Sequence, residues 1–123
     1  MNKFSIRARI RSFKYALAGI RKLISSEHNA WIHCLAVVVV TIAGFVFCIT
    51  ATEWMIVILC FGVVLGAEAL NTAIEKLVDL VSPEWKPKAG DIKDLASAGV
   101  LFCAIAAAIV GLIIFIPYIT QIF

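Results

Sequence analysis

Four polar residues interrupt an otherwise apolar stretch at helical spacing: Glu68, Asn71, Glu75 and Asp79. Steps of three, four and four residues place them within about 80° of arc, so on a helix they form one stripe. Carboxylates and amides are expensive in hydrocarbon, and an ionisable residue there is a functional candidate by default. The bland alternative is a packed face neutralised by Lys76 or Lys93. That alternative suits Lys76 and Asp79. It does not suit Glu68 and Asn71, which sit deeper than a solvated face.

Depth separates the roles. The apolar run carrying the stripe starts at Trp54, and Glu68 follows it by ~21 Å at helical rise. In a hydrocarbon core of ~30 Å, Glu68 lies toward the far boundary, and Glu75 and Asp79 lie at or beyond the interface. Glu68 and Glu75 are ~10 Å apart along the axis, too far to chelate one ion easily. Two tasks are therefore expected. Glu68 can act as a base toward a hydroxyl. Glu75, at the aqueous edge, can hold Mg²⁺ together with phosphate oxygens. Lys93 and Asp94, at the start of a later apolar run, meet the same layer, and Lys93 can neutralise phosphate charge. The constellation suits a reaction between a lipid hydroxyl and a nucleotide phosphate. No P-loop or kinase glycine-rich loop is present, so a nucleotide site is of another kind. The competing readings are a small proton-coupled transporter working through a membrane glutamate, and an adaptor without chemistry. The transporter predicts a carboxylate near mid-membrane and no basic partner.

The elements that must position these groups are legible in the composition. The 123 residues suffice for one domain, 63% are hydrophobic, and the mean hydropathy is +1.02. These values describe an all-α integral membrane protein. Spans are expected at about 30–50, 54–80 and 95–117. Four cysteines, Cys34, Cys48, Cys60 and Cys103, occur singly with no metal-ligand spacing and read as small buried hydrophobes. His28 and His33 are unpaired and read as packing or interface residues.

Of the 11 Lys and Arg, seven fall between Lys3 and Lys22 and four between Lys76 and Lys93, with none in the 50–53 turn. The positive-inside rule then predicts a cytoplasmic N-terminus and second connection, with the 50–53 turn and the C-terminus outside. Ile6, Ile10, Phe13, Leu17, Ile20 and Ile24 recur at spacings of four and three, which predicts an amphipathic helix in the membrane interface. Phe4 falls off that face, so the helix is expected to begin after it. A targeting presequence is the weaker reading, since no small-residue cleavage site is evident. Residues 25–29 read as a polar hinge, completing a 1–28 interfacial segment, and 82–91 as a loop with two prolines and a glycine. No nucleic-acid partner is expected.

"AEALNTAIEKLVDLV", followed by "KDLASAGVL", resembles the small prokaryotic diacylglycerol kinase family, which includes the undecaprenol kinases. The resemblance extends over nearly the whole chain, and "AEALNTAIE" and "SPEW" are more similar to the undecaprenol kinase branch. It implies a three-span lipid kinase with an N-terminal surface helix, located in the bacterial cytoplasmic membrane. It also implies a homotrimer with active sites shared between protomers. The implied reaction transfers the γ-phosphoryl group of Mg-ATP to a lipid alcohol, giving undecaprenyl phosphate or phosphatidic acid. By the same resemblance Glu68 matches the general base and Asn71 the polar residue beside it. Glu27 and Glu75 match metal-binding glutamates that also face the nucleotide. Tyr15, Glu84, Trp85, Lys86, Lys93 and Asp94 match nucleotide contacts, and Gly19, Arg21, Ala69 and Ser97 match lipid-substrate positions. Two departures stand out. Ala8 occupies a position where some relatives carry an ATP-binding arginine, for which Arg7, Arg9 or Arg11 could substitute. Lys86 replaces a histidine found in some relatives.

Overall fold

A computed structural model of the chain describes residues 3–123; the first two residues of the expected interfacial segment lie outside them. Helix α1 (Ile6–Ser26) starts at Ser5, whose hydroxyl accepts from the Ala8 backbone N–H at 3.3 Å. Phe4 lies outside the helix, as its angular position predicts. No α1 residue is buried, and the face from Ile6 to Ile24 is exposed along its length.

Glu27 makes the elbow. Its extended backbone (φ −112°, ψ 114°) ends α1 and starts α2 (His28–Val46). The Trp31 indole N–H donates back to the Ile24 carbonyl, and its ring packs edge-on against His28 at 4.6 Å between centroids. These contacts bind the first turn of α2 to the end of α1.

The first apolar run was expected to extend to Thr50, but α2 closes at Val46. The cause is a Schellman motif. Ile49 N–H reaches back to the Gly44 carbonyl at 3.1 Å and Cys48 N–H to Phe45 O at 3.3 Å. Cys48 takes the left-handed conformation (φ 52°) that this motif requires. Gly44 is needed there, because a Cβ would come within 2.6 Å of the Trp54 ring. Helix α3 (Ala51–Val81) follows at once through a capping box. Thr50 Oγ1 accepts from Glu53 N–H at 3.2 Å, and Thr50 N–H donates to Glu53 Oε1 at 3.0 Å.

The loop expected over 82–91 is confined to 82–86, because α4 (Pro87–Thr120) starts with Pro87 in its first turn. Proline is suited to that position, where its missing N–H has no helical partner to lose. Trp85, just before the Lys86 cap, covers Gly90 in the first turns of α4; a Cβ there would meet the indole nitrogen at 3.6 Å. Helices α3 and α4 form an antiparallel hairpin, the main packing contact of the fold, with α2 laid against α3. Polar contacts join the hairpin at both ends. Tyr118 donates to Glu53 at one, and Lys93 pairs with Asp79 at the other.

An apolar cluster of Ile49, Val57 and Ile114 is covered by Phe47, Trp54, Phe115 and Tyr118 at the end of the hairpin away from the polar stripe. Beyond it, large apolar side chains such as Leu59, Val63, Phe102 and Ile113 remain exposed on single helices. In water that surface would be a liability; in lipid it is the expected exterior. Helices α2, α3 and α4 are each long and apolar enough to cross a membrane. The all-α class, with one amphipathic helix ahead of three apolar ones, is as the sequence predicts.

Candidate active site

The stripe runs down one face of α3 with a gradient of burial. Glu68 is 2% exposed and Asn71 5%, Glu75 is half-buried, and Asp79 is exposed. Glu68 is the largest fully buried side chain among the described residues. An ionisable group in that position is costly unless it is paired or put to use. Its contact is with α2, where His33 Nε2 lies 3.4 Å from Glu68 Oε2.

Asn71 bridges the buried and exposed parts of the stripe. Its Nδ2 donates to Glu75 Oε1 at 3.3 Å, which fixes the Glu75 carboxylate one turn further along. The Asn71 Oδ1 is buried without a hydrogen-bond partner, as is Thr72 Oγ1. A buried acceptor left unsatisfied costs about 1–3 kcal/mol. Both residues follow Glu68 within about one turn of α3, so hydrogen-bonding capacity remains beside the buried carboxylate.

One turn beyond Glu75, Asp79 accepts from Lys93 Nζ at 2.5 Å. The pair carries Lys93 and its neighbour Asp94 to the same end of the bundle as Glu75. Glu84, Trp85 and Lys86 are exposed in the connection between α3 and α4, close in sequence to that end. Glu27 is half-buried at the α1–α2 elbow. Tyr15, Gly19 and Arg21 are exposed on α1, Ala69 on α3 beside Glu68, and Ser97 on α4. Among the described residues, no hydrogen bond or ion pair links Glu27, Tyr15, Gly19 or Arg21 to the stripe. No cluster of three or more His, Cys, Asp and Glu side chains is arranged to hold a metal among them either. One chain thus lines up Glu68, Asn71, Glu75 and Asp79 along α3 and adds Lys93 through Asp79, while α1 packs against α2 and α3 of the same bundle.

The structure brings two further residues to the stripe. They are His33, which the sequence presents as a packing or interface residue, and Thr72, which its spacing does not single out. The signal for His33 was present: it is an ionisable residue inside an apolar run, the same criterion that selected Glu68.

A cleft of about 420 Å³ opens between α2, α3 and α4, walled by residues such as Val37, Val57, Phe61, Val64 and Ala107. His33 also lines it, so the cleft and the buried carboxylate share one side chain. A helical membrane bundle with a buried carboxylate near one end, and a lysine and further carboxylates beyond it, is the arrangement of a small membrane-embedded enzyme.

The family model for prokaryotic diacylglycerol kinase matches residues 14–115. The undecaprenol kinase of Bacillus subtilis is 39% identical over 107 residues, covering 87% of both chains. The diacylglycerol kinase of Haemophilus influenzae is 31% identical over 108 residues, covering 85% of this chain and 86% of that protein. The diacylglycerol kinase of Synechocystis is 36% identical over 107 residues, 86% of this chain but 61% of the longer relative. The chain belongs to the prokaryotic diacylglycerol kinase family. It is a lipid kinase embedded in a membrane, and the transporter and adaptor readings fall away.

Proposed function

We propose that the chain transfers the γ-phosphoryl group of Mg-ATP to the hydroxyl of a membrane lipid alcohol, with undecaprenol preferred over diacylglycerol. The observation that carries the reading is the burial of Glu68 on a stripe that emerges at Glu75 and Asp79. Glu68 accepts the proton of the lipid hydroxyl as its oxygen attacks the γ-phosphorus. Asn71 orients Glu75 through its amide N–H, and its Oδ1 keeps capacity to accept a hydrogen bond.

Glu27 and Glu75 offer the oxygen-only donors that suit Mg²⁺, which takes one or two carboxylates and leaves its other positions to phosphate and water. When bound, the metal neutralises charge on the transferring phosphates. Lys93 adds a positive charge at the same level, and Tyr15, Glu84, Trp85, Lys86 and Asp94 complete the nucleotide contacts. Gly19, Arg21, Ala69 and Ser97 serve the lipid side, and the cleft that ends on His33 offers apolar room for its chain.

The N-terminus and the 82–86 connection are cytoplasmic in this reading, which gives ATP access to Glu75 and Lys93. The distribution of Lys and Arg supports that orientation. In this reading the chain assembles as a homotrimer whose sites combine residues from neighbouring protomers. The small residues of α4, from Ala96 to Gly99 and Ala106 to Ala108, allow the close approach this needs.

The lipid preference rests on the 39% identity to an undecaprenol kinase, against 31–36% for diacylglycerol kinases. The test is a side-by-side assay of the purified chain with undecaprenol and diacylglycerol at matched surface concentration. A higher kcat/KM for undecaprenol is expected. A clear preference for diacylglycerol would reverse the assignment of substrate, and ATP turnover indifferent to either lipid would reject the reaction.

A further inference from the structure

A buried base must be reset. Each transfer leaves Glu68 holding the proton of the lipid hydroxyl, and at 2% exposure it has no direct route to bulk water. Asn71 offers no route, since an amide neither gains nor loses protons near neutral pH and its Nδ2 is committed to Glu75. Among the described residues, the titratable group in contact with Glu68 is His33, at 3.4 Å and on a different helix. The His33 side chain is 18% exposed and lines the cleft between α2, α3 and α4 five residues into α2, so it touches both the buried carboxylate and the space beside it near the α1–α2 elbow. An imidazole exchanges protons readily near neutral pH and suits a relay.

We propose that His33 takes the proton from Glu68 after each phosphoryl transfer and releases it to water, restoring the base; this rests on Glu68 being the base. The steps balance. The lipid O–H bond breaks and its oxygen bonds the γ-phosphorus as the bond to ADP breaks. The proton passes to a Glu68 oxygen, then to His33 Nε2, giving an imidazolium and a free carboxylate, and then from the imidazolium to water. The 3.4 Å separation is longer than a working hydrogen bond, and a small side-chain rotation brings it into range. The surroundings leave His33 this one acid partner. Cys60 on α3 lines the same cleft, and the α4 wall is apolar, including Ala104, Ala107 and Phe115. Glu27 and His28 belong to the elbow, and Arg21 and Lys22 on α1 are exposed.

The test uses the full chain in mixed micelles, with Mg-ATP and whichever of undecaprenol and diacylglycerol is the better acceptor. In His33→Ala, kcat is expected to fall about 10²-fold with KM for ATP and lipid little changed. Added imidazole should restore the lost turnover in proportion to its concentration while leaving the wild type unaffected. His33→Gln, which keeps the size and a hydrogen-bond donor, carries the same test if the alanine variant does not fold. Its kcat should fall similarly and rise with imidazole. Wild-type kcat in His33→Gln overturns the relay, because a neutral donor would then suffice. Loss without any response to imidazole in the folded variants also overturns it, leaving His33 a packing residue. Glu68→Gln, assayed in parallel, separates the two ideas. If it is active, the base assignment itself fails; if it is inactive and the His33 variants are normal, only the relay fails.

Discussion

Lys93 Nζ lies 2.5 Å from Asp79 Oδ1, joining the second turn of α4 to the last turns of α3. Both side chains are substantially exposed, at 38% and 65%. An ion pair this open to solvent contributes about 0–1 kcal/mol. The hairpin therefore owes little stability to it, and the contact instead sets where the lysine charge sits at that end of the hairpin.

Lys93→Met is accordingly expected to leave unfolding in detergent within about 1 kcal/mol of wild type. It should raise KM for ATP at least about tenfold, since a charged contact to phosphate contributes roughly 1.5–3 kcal/mol. Initial rates against ATP, together with a denaturation curve, check both halves. An unchanged KM for ATP would remove Lys93 from the nucleotide site.

Glu27→Gln and Glu75→Gln should each shift the Mg²⁺ dependence of turnover to higher concentration while leaving KM for the lipid nearly constant. The basis is their carboxylate chemistry at the aqueous edge and elbow. Titrating activity against Mg²⁺ at fixed ATP and lipid checks this. Identical titration curves in both variants and wild type would count against metal binding at these positions.

The turn between α2 and α3 offers a test of local physics. Cys48 occupies a left-handed position (φ 52°) where glycine is preferred. A side chain there costs roughly 1–2 kcal/mol, so Cys48→Gly should stabilise the fold by about 1 kcal/mol and leave kcat unchanged. Denaturant unfolding in detergent measures it. Destabilisation would mean that the exposed cysteine makes contacts in the membrane that outweigh the strain.

Much of this arrangement was readable from residue order. Apolar runs gave the span count, and the spacing from Ile6 to Ile24 gave the amphipathic helix. The register of Glu68, Asn71 and Glu75 gave the stripe, because helical periodicity is a local property. The early end of α2 was not readable, since a left-handed cysteine leaves no compositional mark. The early start of α4 had a cue in Pro87, but two nearby prolines and a glycine also describe a loop. The pairing of His33 with Glu68 joins two helices, and no pattern within one helix reveals it. Where the Glu27 elbow lies relative to the stripe is likewise tertiary, set by how α1 and α2 pack on α3.

The proposed sharing of sites between protomers calls for a mixing experiment. If Glu27 and Glu68 of one site come from different protomers, inactive Glu68→Gln chains co-assembled with Glu27→Gln chains should regain activity at an Mg²⁺ concentration too low to support Glu27→Gln alone. The recovered fraction should follow random mixing. Tagged chains unfolded, mixed and refolded, with a pull-down to show co-assembly, provide the measurement. Proven co-assembly with activity no higher than the parents would assign both residues to one chain.

The central claim is that Glu68 is the base toward the lipid hydroxyl, and steady-state turnover of Glu68→Gln tests it most directly. The substitution keeps shape and removes the carboxylate at a position 2% exposed. Loss of a general base costs about 10²–10⁴-fold, roughly 3–5 kcal/mol of barrier. The account predicts a fall in kcat of that size, with the helical fold intact and ATP binding nearly unchanged. A folded Glu68→Gln protein that turns over within a few-fold of wild type would contradict it.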